Sequence, residues 1–454
     1  MLYNSLLSIT YSLMSFISGI SFLYLTINKY YFNPYAETTS YTIGDGKTLR
    51  VGILSDSQLT YGEHDHNYPF SYDHLIQSLK VMKEKKIQVL IFAGDQSQAG
   101  STYAFKLFKK ALNVTWPDEN DRPIFNFIMG NHDYKFNIFF PSYHQKKFYE
   151  IIGEKPFSHK IINGYHFINW GHGDLSMMTS NNNYFWAENE IKKAIKENDT
   201  KPIFVITHVN AKNTVYGSDR WGNNLIKSVL DPYYQVIHIS GHSHFSLIDE
   251  RSIWQGEFTA IQTQSTCYIE LEDGKENGSK PKNEFNEPLP QRRNYMGLIM
   301  DIFDKEVVFK RISLEKNKFY GENWIVDIPV NKSNFRYLND DRKKKSKKPV
   351  FYDSKIFISQ VEKNGRKFNL ISFNQAYHEN FVHSYKLKFS QNGNDKEFWY
   401  FSDFFLMPED RKKDITLKLN DKLKGQYDIE IEAYESFGNQ SQPIKVKNIT
   451  IPEL

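Results

Sequence analysis

The stretch Ile-Phe-Asn-Phe-Ile-Met-Gly-Asn-His-Asp, residues 124–133, decides how this chain is read. An apolar run of strand length stops at Gly130, and three polar side chains capable of chemistry follow at once. In open α/β sheets, ligand-binding groups gather beyond the carboxyl ends of the strands. Asn131 offers an amide oxygen to a hard cation, and His132 beside it can donate a proton. The same pattern, a strand and then a short polar motif, recurs four more times before residue 245.

Residues 49–55 form the first such strand and deliver Asp56-Ser57-Gln58. Residues 74–86 read as a helix, and residues 87–93 as a second buried strand ending in Gly94-Asp95. A helix over 103–112 leads to the strand quoted above. Further on, residues 203–207 end at His208, and residues 236–240 end at Gly241-His242-Ser243-His244. In extended chain, positions i and i+2 point to one side, so Asp56 with Gln58 and His242 with His244 can each address one point. Strands alternating with helices predict a layered βαβ-type domain.

Together these strand ends supply Asp56, Gln58, Asp95, Asn131, His208, His242 and His244. Carboxylate, amide oxygen and imidazole are the ligand types of divalent transition metals, and seven are too many for one tetrahedral ion. They suit two metals, with one carboxylate bridging. Such a pair holds both the attacking and the leaving oxygen of a phosphoryl displacement and generates hydroxide near neutral pH. A single histidine would more often be structural, but five motifs at five strand ends are not a coincidence.

Asp-x-Gln, Gly-Asp, Gly-Asn-His-Asp, a strand-end His and Gly-His-Ser-His, in this order, resemble the calcineurin-like metallophosphoesterase family. Asp249-Glu250-Arg251-Ser252-Ile253-Trp254-Gln255 with Phe258-Thr259 resembles a bacterial branch of it. The resemblance implies a four-layer α/β/β/α sandwich with a dinuclear metal centre. It implies that Asp56, Gln58, Asp95 and His244 hold one ion, and that Asp95 (bridging), Asn131, His208 and His242 hold the other. It also implies that His132 protonates the leaving group or stabilises charge, with Asp133 orienting it. One departure matters: most members carry histidine where this chain has Gln58. A glutamine oxygen is a harder, neutral donor, so two divalent ions of the manganese, iron or magnesium type are expected over zinc. The competing reading of Gln58 is a damaged site in a pseudoenzyme.

Around these motifs, His64-Asp65-His66 lies in the loop after the first one, where a solvated surface or a substrate contact are both open. His172 ends the strand-like run 165–169, and Asn210 sits two residues past His208. Residues 185–196 read as an amphipathic helix with Trp186, Ile191 and Ile195 on its apolar side, and residues 272–294 as a polar loop or two-strand excursion.

At 454 residues the chain is too long for one ordinary core. A formal net charge of +4 is too small to argue for nucleic-acid binding, and none is expected. The lone Cys267 excludes an internal disulfide framework or a cysteine zinc knuckle, and reads as a small buried residue. Residues 5–27 carry no charge and are long enough to cross a bilayer. Ser8, Ser12, Ser15 and Gly19 put small residues on one helical face, as close packing in a membrane requires. No Lys or Arg precedes the run, which favours an uncleaved anchor over a cleaved signal. The chain is therefore expected to be membrane-anchored or exported, with its catalytic domain extracytoplasmic.

The expected organisation is an anchor or signal over 1–30, a tether over 31–47, the phosphoesterase-like domain over 48–330, a charged linker over 331–354 and a β-sandwich over 355–454. The linker contains the run Asp-Asp-Arg-Lys-Lys-Lys-Ser-Lys-Lys, residues 340–348, which reads as solvated, contact with anionic lipid being the alternative. After residue 355 come seven short alternating strands without helices: 356–361, 368–373, 382–389, 397–402, 415–419, 427–434 and 444–451. They argue for an all-β sandwich. Its ending, Ala433-Tyr434-Glu435-Ser436-Phe437-Gly438-Asn439, resembles the last hairpin of fibronectin type III-like modules. It reads as an accessory module with a protein or glycan partner. The expected function is metal-dependent hydrolysis of phosphate monoesters or diesters by metal-activated hydroxide. The alternative is a non-catalytic surface protein with a metal-stabilised phosphoesterase-like domain.

Overall fold

Alternation along Val89–Ala93 sets the layering: Val89, Ile91 and Ala93 face one core while Leu90 and Phe92 face another. The computed structural model describes residues 32–45, 47–60, 70–134, 141–172, 181–198, 200–278 and 294–454. Val89–Ala93 pairs in parallel with Leu49–Leu54 on one side and Ile124–Ile128 on the other. The helices Ser71–Glu84 and Thr102–Thr115 make the two crossovers. Ser101 starts the second of them, its hydroxyl accepting from the Ala104 N–H at 3.1 Å. Met296–Ile302, Glu306–Ser313 and Lys318–Asp327 extend this sheet to six strands by antiparallel pairing.

A second sheet of seven strands runs in the order Thr39–Tyr41, Phe157–Ile162, Tyr165–Trp170, Ile203–Ile206, Val236–Ser240, Thr259–Gln262, Ile253–Gln255. The two sheets face each other: Val51, Ile53, Ile91 and Ile128 of one share a core with Phe167, Phe204, Ile206 and Ile237 of the other. On the outside, Phe92 and Phe127 meet Leu75, Phe105 and Phe108. Ile168 and Val205 meet Ala187, Ile191 and Leu230 from the helices Asn181–Glu197 and Asn224–Leu230. Helix, sheet, sheet, helix is the four-layer sandwich expected. Parallel strands buried on both faces read as continuous apolar runs, which is why they were visible in the sequence.

All seven C-terminal strands are present. Ile356–Lys363, Arg366–Asn374 and Asp414–Lys418 form one sheet. Asn394–Phe401, Ser384–Gln391, Gly425–Tyr434 and Ile444–Ile451 form the other. Ile371, Phe373, Leu387, Phe389, Ile429 and Ile431 fill the space between them. Cys267 is buried, as read.

Two local expectations change. The segment read as a tether docks: Tyr35 bridges Phe157, and Thr39–Tyr41 adds a strand parallel to Lys160–Ile162. Its Thr- and Tyr-rich sequence suits an exposed edge, and its three strand residues are exposed. The charged run is not freely solvated either. Asn339–Lys345 is a helix, and Arg342 reaches back to the carbonyl oxygens of Glu250 (2.5 Å) and Ile253 (2.6 Å). One guanidinium thereby satisfies two otherwise open backbone acceptors, while its lysine neighbours stay exposed. The predicted anchor over 5–27, His64, Asp65 and His66, and most of the loop 272–294 lie outside the described residues. Among the described residues, no helix is long and apolar enough to cross a membrane.

Candidate metal centre

The carboxyl ends of Leu49–Leu54, Val89–Ala93 and Ile124–Ile128 in one sheet meet those of Ile203–Ile206 and Val236–Ser240 in the other. Hydrogen bonds stitch the loops that leave them. Asp56 N–H donates to Gly94 O (3.0 Å), Gln58 N–H to Asp95 O (3.1 Å), and Gly241 N–H to His208 O (3.0 Å). Glycine is required where these loops touch. A Cβ on Gly130 would stand 2.2 Å from Asp95 Oδ1 and 2.6 Å from its amide nitrogen. On Gly94 it would stand 2.6 Å from His208 Nδ1.

Asp56, Asp95 and His208 are buried and bring one ligand atom each within 4.8 Å of the others. His208 Nε2 lies 3.2 Å from Asp95 Oδ2 and 3.8 Å from Asp56 Oδ1. His244 Nε2 is 3.0 Å from Asp56 Oδ1. Gln58 Nε2 sits 3.0 Å from Asp95 Oδ2 and 3.4 Å from His244 Nε2. His242 joins through its ring, whose centroid is 5.0 Å from that of His208, and its N–H donates to Asp56 Oδ2 at 3.1 Å. His132 N–H donates to Asp95 Oδ1 at 2.9 Å, bringing the Asn131-His132 pair to the same carboxylate.

The backbone is strained where these side chains converge. Twelve non-glycine described residues have positive φ; six are asparagines, and five are Asp56, Gln58, Asp95, His242 and His244. Each such residue costs about 1–3 kcal/mol and persists only when its surroundings over-determine it. This corrects the reason given for the i, i+2 pairs. They converge through left-handed turns with φ of 48–70°, not through extended chain.

The donor set fits divalent cations. Gln58 Oε1, Asn131 Oδ1 and His208 Nε2 are buried without a hydrogen-bond partner among the described residues. Buried polar atoms are almost always satisfied, so three such donors in one place fit a bound cation. Half a turn of the Gln58 amide presents its oxygen to the point its nitrogen now faces. His208 Nδ1–H donates to Ala93 O at 2.8 Å, which fixes the tautomer and leaves Nε2 as a lone-pair donor. The charge balance agrees. Burial alone would lower His208, but Asp95 and Asp56 reverse this and hold it up at about 10. Burial likewise opposes ionisation of Asp56, but His244 and His208 outweigh it and hold the carboxyl below its usual range. The cluster is built to retain positive charge.

The resemblance implies that Asp133 orients His132, but its carboxylate accepts from backbone N–H groups instead. Its Oδ2 accepts from the N–H groups of Gly130 (2.9 Å) and Asp95 (3.0 Å), and its Oδ1 from that of Ser97 (2.8 Å). Fully buried, it clamps two ligand loops together, and the His132 ring faces elsewhere. Gln98 takes that role: His132 Nδ1 faces its carbonyl oxygen at 2.9 Å. Since a backbone carbonyl is the acceptor, nothing in the identity of residue 98 signalled it. Asn210 is a packing residue, its amide donating to Ser240 Oγ at 2.8 Å. His172 lines a small cavity with His208, Asn183, Tyr184 and Asn223, and burial lowers it to about 4. Two aromatic neighbours were missed. Trp221 stands 6.0 Å from the His242 ring with the Arg220 guanidinium over it, and Tyr268 stands 4.6 Å from His244.

Residues 49–246 match the model of the calcineurin-like phosphoesterase family. No curated protein matches the chain. Among solved structures, a dimetal phosphatase from Danio rerio is similar at 12% identity and a TM-score of 0.41, covering 62% of this chain and 99% of that one. A purple acid phosphatase from yellow lupin, Lupinus luteus, is similar at 10% identity and a TM-score of 0.42, covering 62% of this chain and 54% of that one. Vps29 from Entamoeba histolytica, complexed with zinc, is similar at 11% identity and a TM-score of 0.29, covering 62% and 99%.

Proposed function

We propose that this chain, whose residues 49–246 match the calcineurin-like phosphoesterase family, is a metal-dependent phosphoric ester hydrolase with a dinuclear centre acting on phosphate monoesters or diesters. Asp56, Gln58, Asp95 and His244 hold one divalent cation. Asp95, Asn131, His208 and His242 hold the other. The single observation behind this reading is the convergence of buried, unpartnered donor atoms on two buried carboxylates. Bound there, the cations supply Lewis-acid stabilisation of phosphoryl charge and a more acidic water.

The remaining work belongs to His132. A carbonyl can only accept, so Nδ1 carries its proton toward Gln98 O in both charge states. Nε2 is then the position that gains and loses the second proton. Nε2–H donates to the departing ester oxygen. General acid catalysis of this kind contributes roughly 10²–10⁴-fold. His132→Ala is expected to lower kcat for an alkyl phosphate by about 10²-fold or more. For a nitrophenyl ester, whose leaving group needs no proton, the loss should be much smaller. Equal losses on both esters would remove His132 from this role. Run beside each other, the mono- and diester forms of one aryl alcohol decide the subclass.

Gln58 tunes the metal. A neutral amide oxygen favours harder ions than imidazole does, so manganese, iron or magnesium is preferred to zinc. Gln58→His should raise zinc affinity relative to manganese by about tenfold or more, the lower end of ligand-sphere effects. An unchanged ratio in competitive titration would mean that Gln58 is not a ligand. The uncharged residues 5–27 support a membrane-anchored or exported chain with this domain outside the cytoplasm. Fractionation of the full chain with membranes, followed by protease accessibility, decides that.

A further inference from the structure

The β-sandwich meets the phosphoesterase domain through a buried polar cluster that no part of the hydrolytic reading uses. Phe381, Phe401, Phe404 and Phe405 of the sandwich join the core that lies between the two catalytic sheets. Beside them His383 is buried, its ring against Phe404 at 4.6 Å and Phe401 at 5.5 Å. Its Nε2 accepts an Arg251 N–H at 3.2 Å and stands 3.0 Å from the Tyr216 hydroxyl, which also bonds Glu272. Arg251 is fixed in turn by a two-point pair with Asp249, at 2.9 and 2.8 Å, and lies 4.0 Å over the Tyr216 ring. Glu272 completes the cluster, 3.6 Å from Arg251 and 2.6 Å from Lys275.

This cluster touches the Gly-His-Ser-His loop from behind. Tyr216 packs on Phe245, ring centroids 4.6 Å apart, and Phe245 directly follows His244. The fit is close, since a Cβ on Gly217 would stand 2.4 Å from the Phe245 ring. Glu272, beside Arg251, lies two residues from Glu270, whose N–H donates to the His244 carbonyl at 3.0 Å. His244 has positive φ; its Nε2 is held at Asp56 Oδ1, 3.0 Å away, while its Nδ1 has no hydrogen-bond partner among the described residues. One ring contact with Asp56 does not fix the left-handed backbone of the loop, so the packing behind it matters.

We infer that His383 is a positioning residue for the metal centre, and that the β-sandwich, through His383, Tyr216 and Arg251, holds the His244 loop in its ligating conformation. The sandwich is therefore a constitutive part of the hydrolase and not an appended binding module. A buried histidine set against both a phenol and a guanidinium is a costly arrangement to build for domain adhesion alone, since each partner must be desolvated. This inference rests on the metal-centre reading, and its test separates the two.

The test uses the full chain, stripped of metal and titrated with cobalt(II), with affinity and ligand-field spectrum both recorded. His383→Ala, Tyr216→Phe and His383→Gln are compared with Phe405→Ala, which loosens the same interface one ring removed from His383. His383→Ala and Tyr216→Phe are expected to weaken cobalt binding by about tenfold, the lower end for outer-shell partners, and to shift the spectrum. His383→Gln, which retains an acceptor, should recover part of both. Phe405→Ala should lower the melting temperature but leave affinity and spectrum as in the parent. Should His383→Ala fail to fold, Tyr216→Phe decides, since it removes one hydroxyl only. Parental binding in folded His383→Ala and Tyr216→Phe would overturn the inference, and so would an equal loss in Phe405→Ala. A parent chain that binds no cobalt would overturn the metal centre itself.

Discussion

Asp95→Ala is expected to lower kcat by about 10³-fold or more at saturating manganese, which corresponds to about 4 kcal/mol of transition-state stabilisation. Asp95 is the residue on which the other motifs converge. Its Oδ1 accepts from the His132 backbone at 2.9 Å. Its Oδ2 stands 3.2 Å from His208 Nε2 and 3.0 Å from the Gln58 amide. Alanine leaves His208 Nε2 with Asp56 alone, at 3.8 Å, and leaves the part-buried His132 N–H without its acceptor. Metal content should fall together with turnover. Asp95→Asn retains the oxygen that holds His132 but removes the charge, so it should fold normally and still lose most activity. Steady-state kinetics with metal analysis on both variants checks this. Near-parental kcat in either would remove Asp95 from the bridging position.

Asp133→Ala has a different signature, because Asp133 holds loops and not ions. Its carboxylate accepts from three buried backbone N–H groups, those of Gly130, Asp95 and Ser97. A buried donor left unsatisfied costs about 1–3 kcal/mol, so the variant should lose about 3 kcal/mol or more of stability in denaturant unfolding. Asp133→Asn should lose less, since one amide oxygen can still serve Gly130 and Asp95 while its NH₂ opposes Ser97. If Asp133 instead oriented His132, the alanine variant would show altered kcat with little change in stability.

The strand ends were legible in sequence because each combines two signals that rarely coincide. An apolar run buried on both faces precedes a tight turn carrying ligand-type side chains, as at Phe92-Ala93-Gly94-Asp95 and Ile239-Ser240-Gly241-His242. The seven sandwich strands were legible for a similar reason: alternation such as Tyr427, Ile429, Ile431 and Ala433 marks one buried face. What stayed hidden depends on partners distant in the chain. The Gln98 carbonyl beside His132 leaves no trace in residue identity, and His383 acquires its role only by packing against Tyr216, 167 positions earlier. Arg342 looked like one more charge in a basic run until the fold put two carbonyls in its reach. The turns that make Asp56 and Gln58 converge were masked too, because neither residue type announces a positive φ as glycine does.

Metal stoichiometry tests the central claim most directly. The chain would be freed of metal with a chelator, titrated with manganese, and assayed on an aryl phosphate at each addition. Two sites per chain are predicted, with turnover absent in the chelated protein and reaching its plateau as the second site fills. Hydrolysis that persists undiminished in the chelated protein, or a folded chain that takes up no divalent cation, would contradict the account.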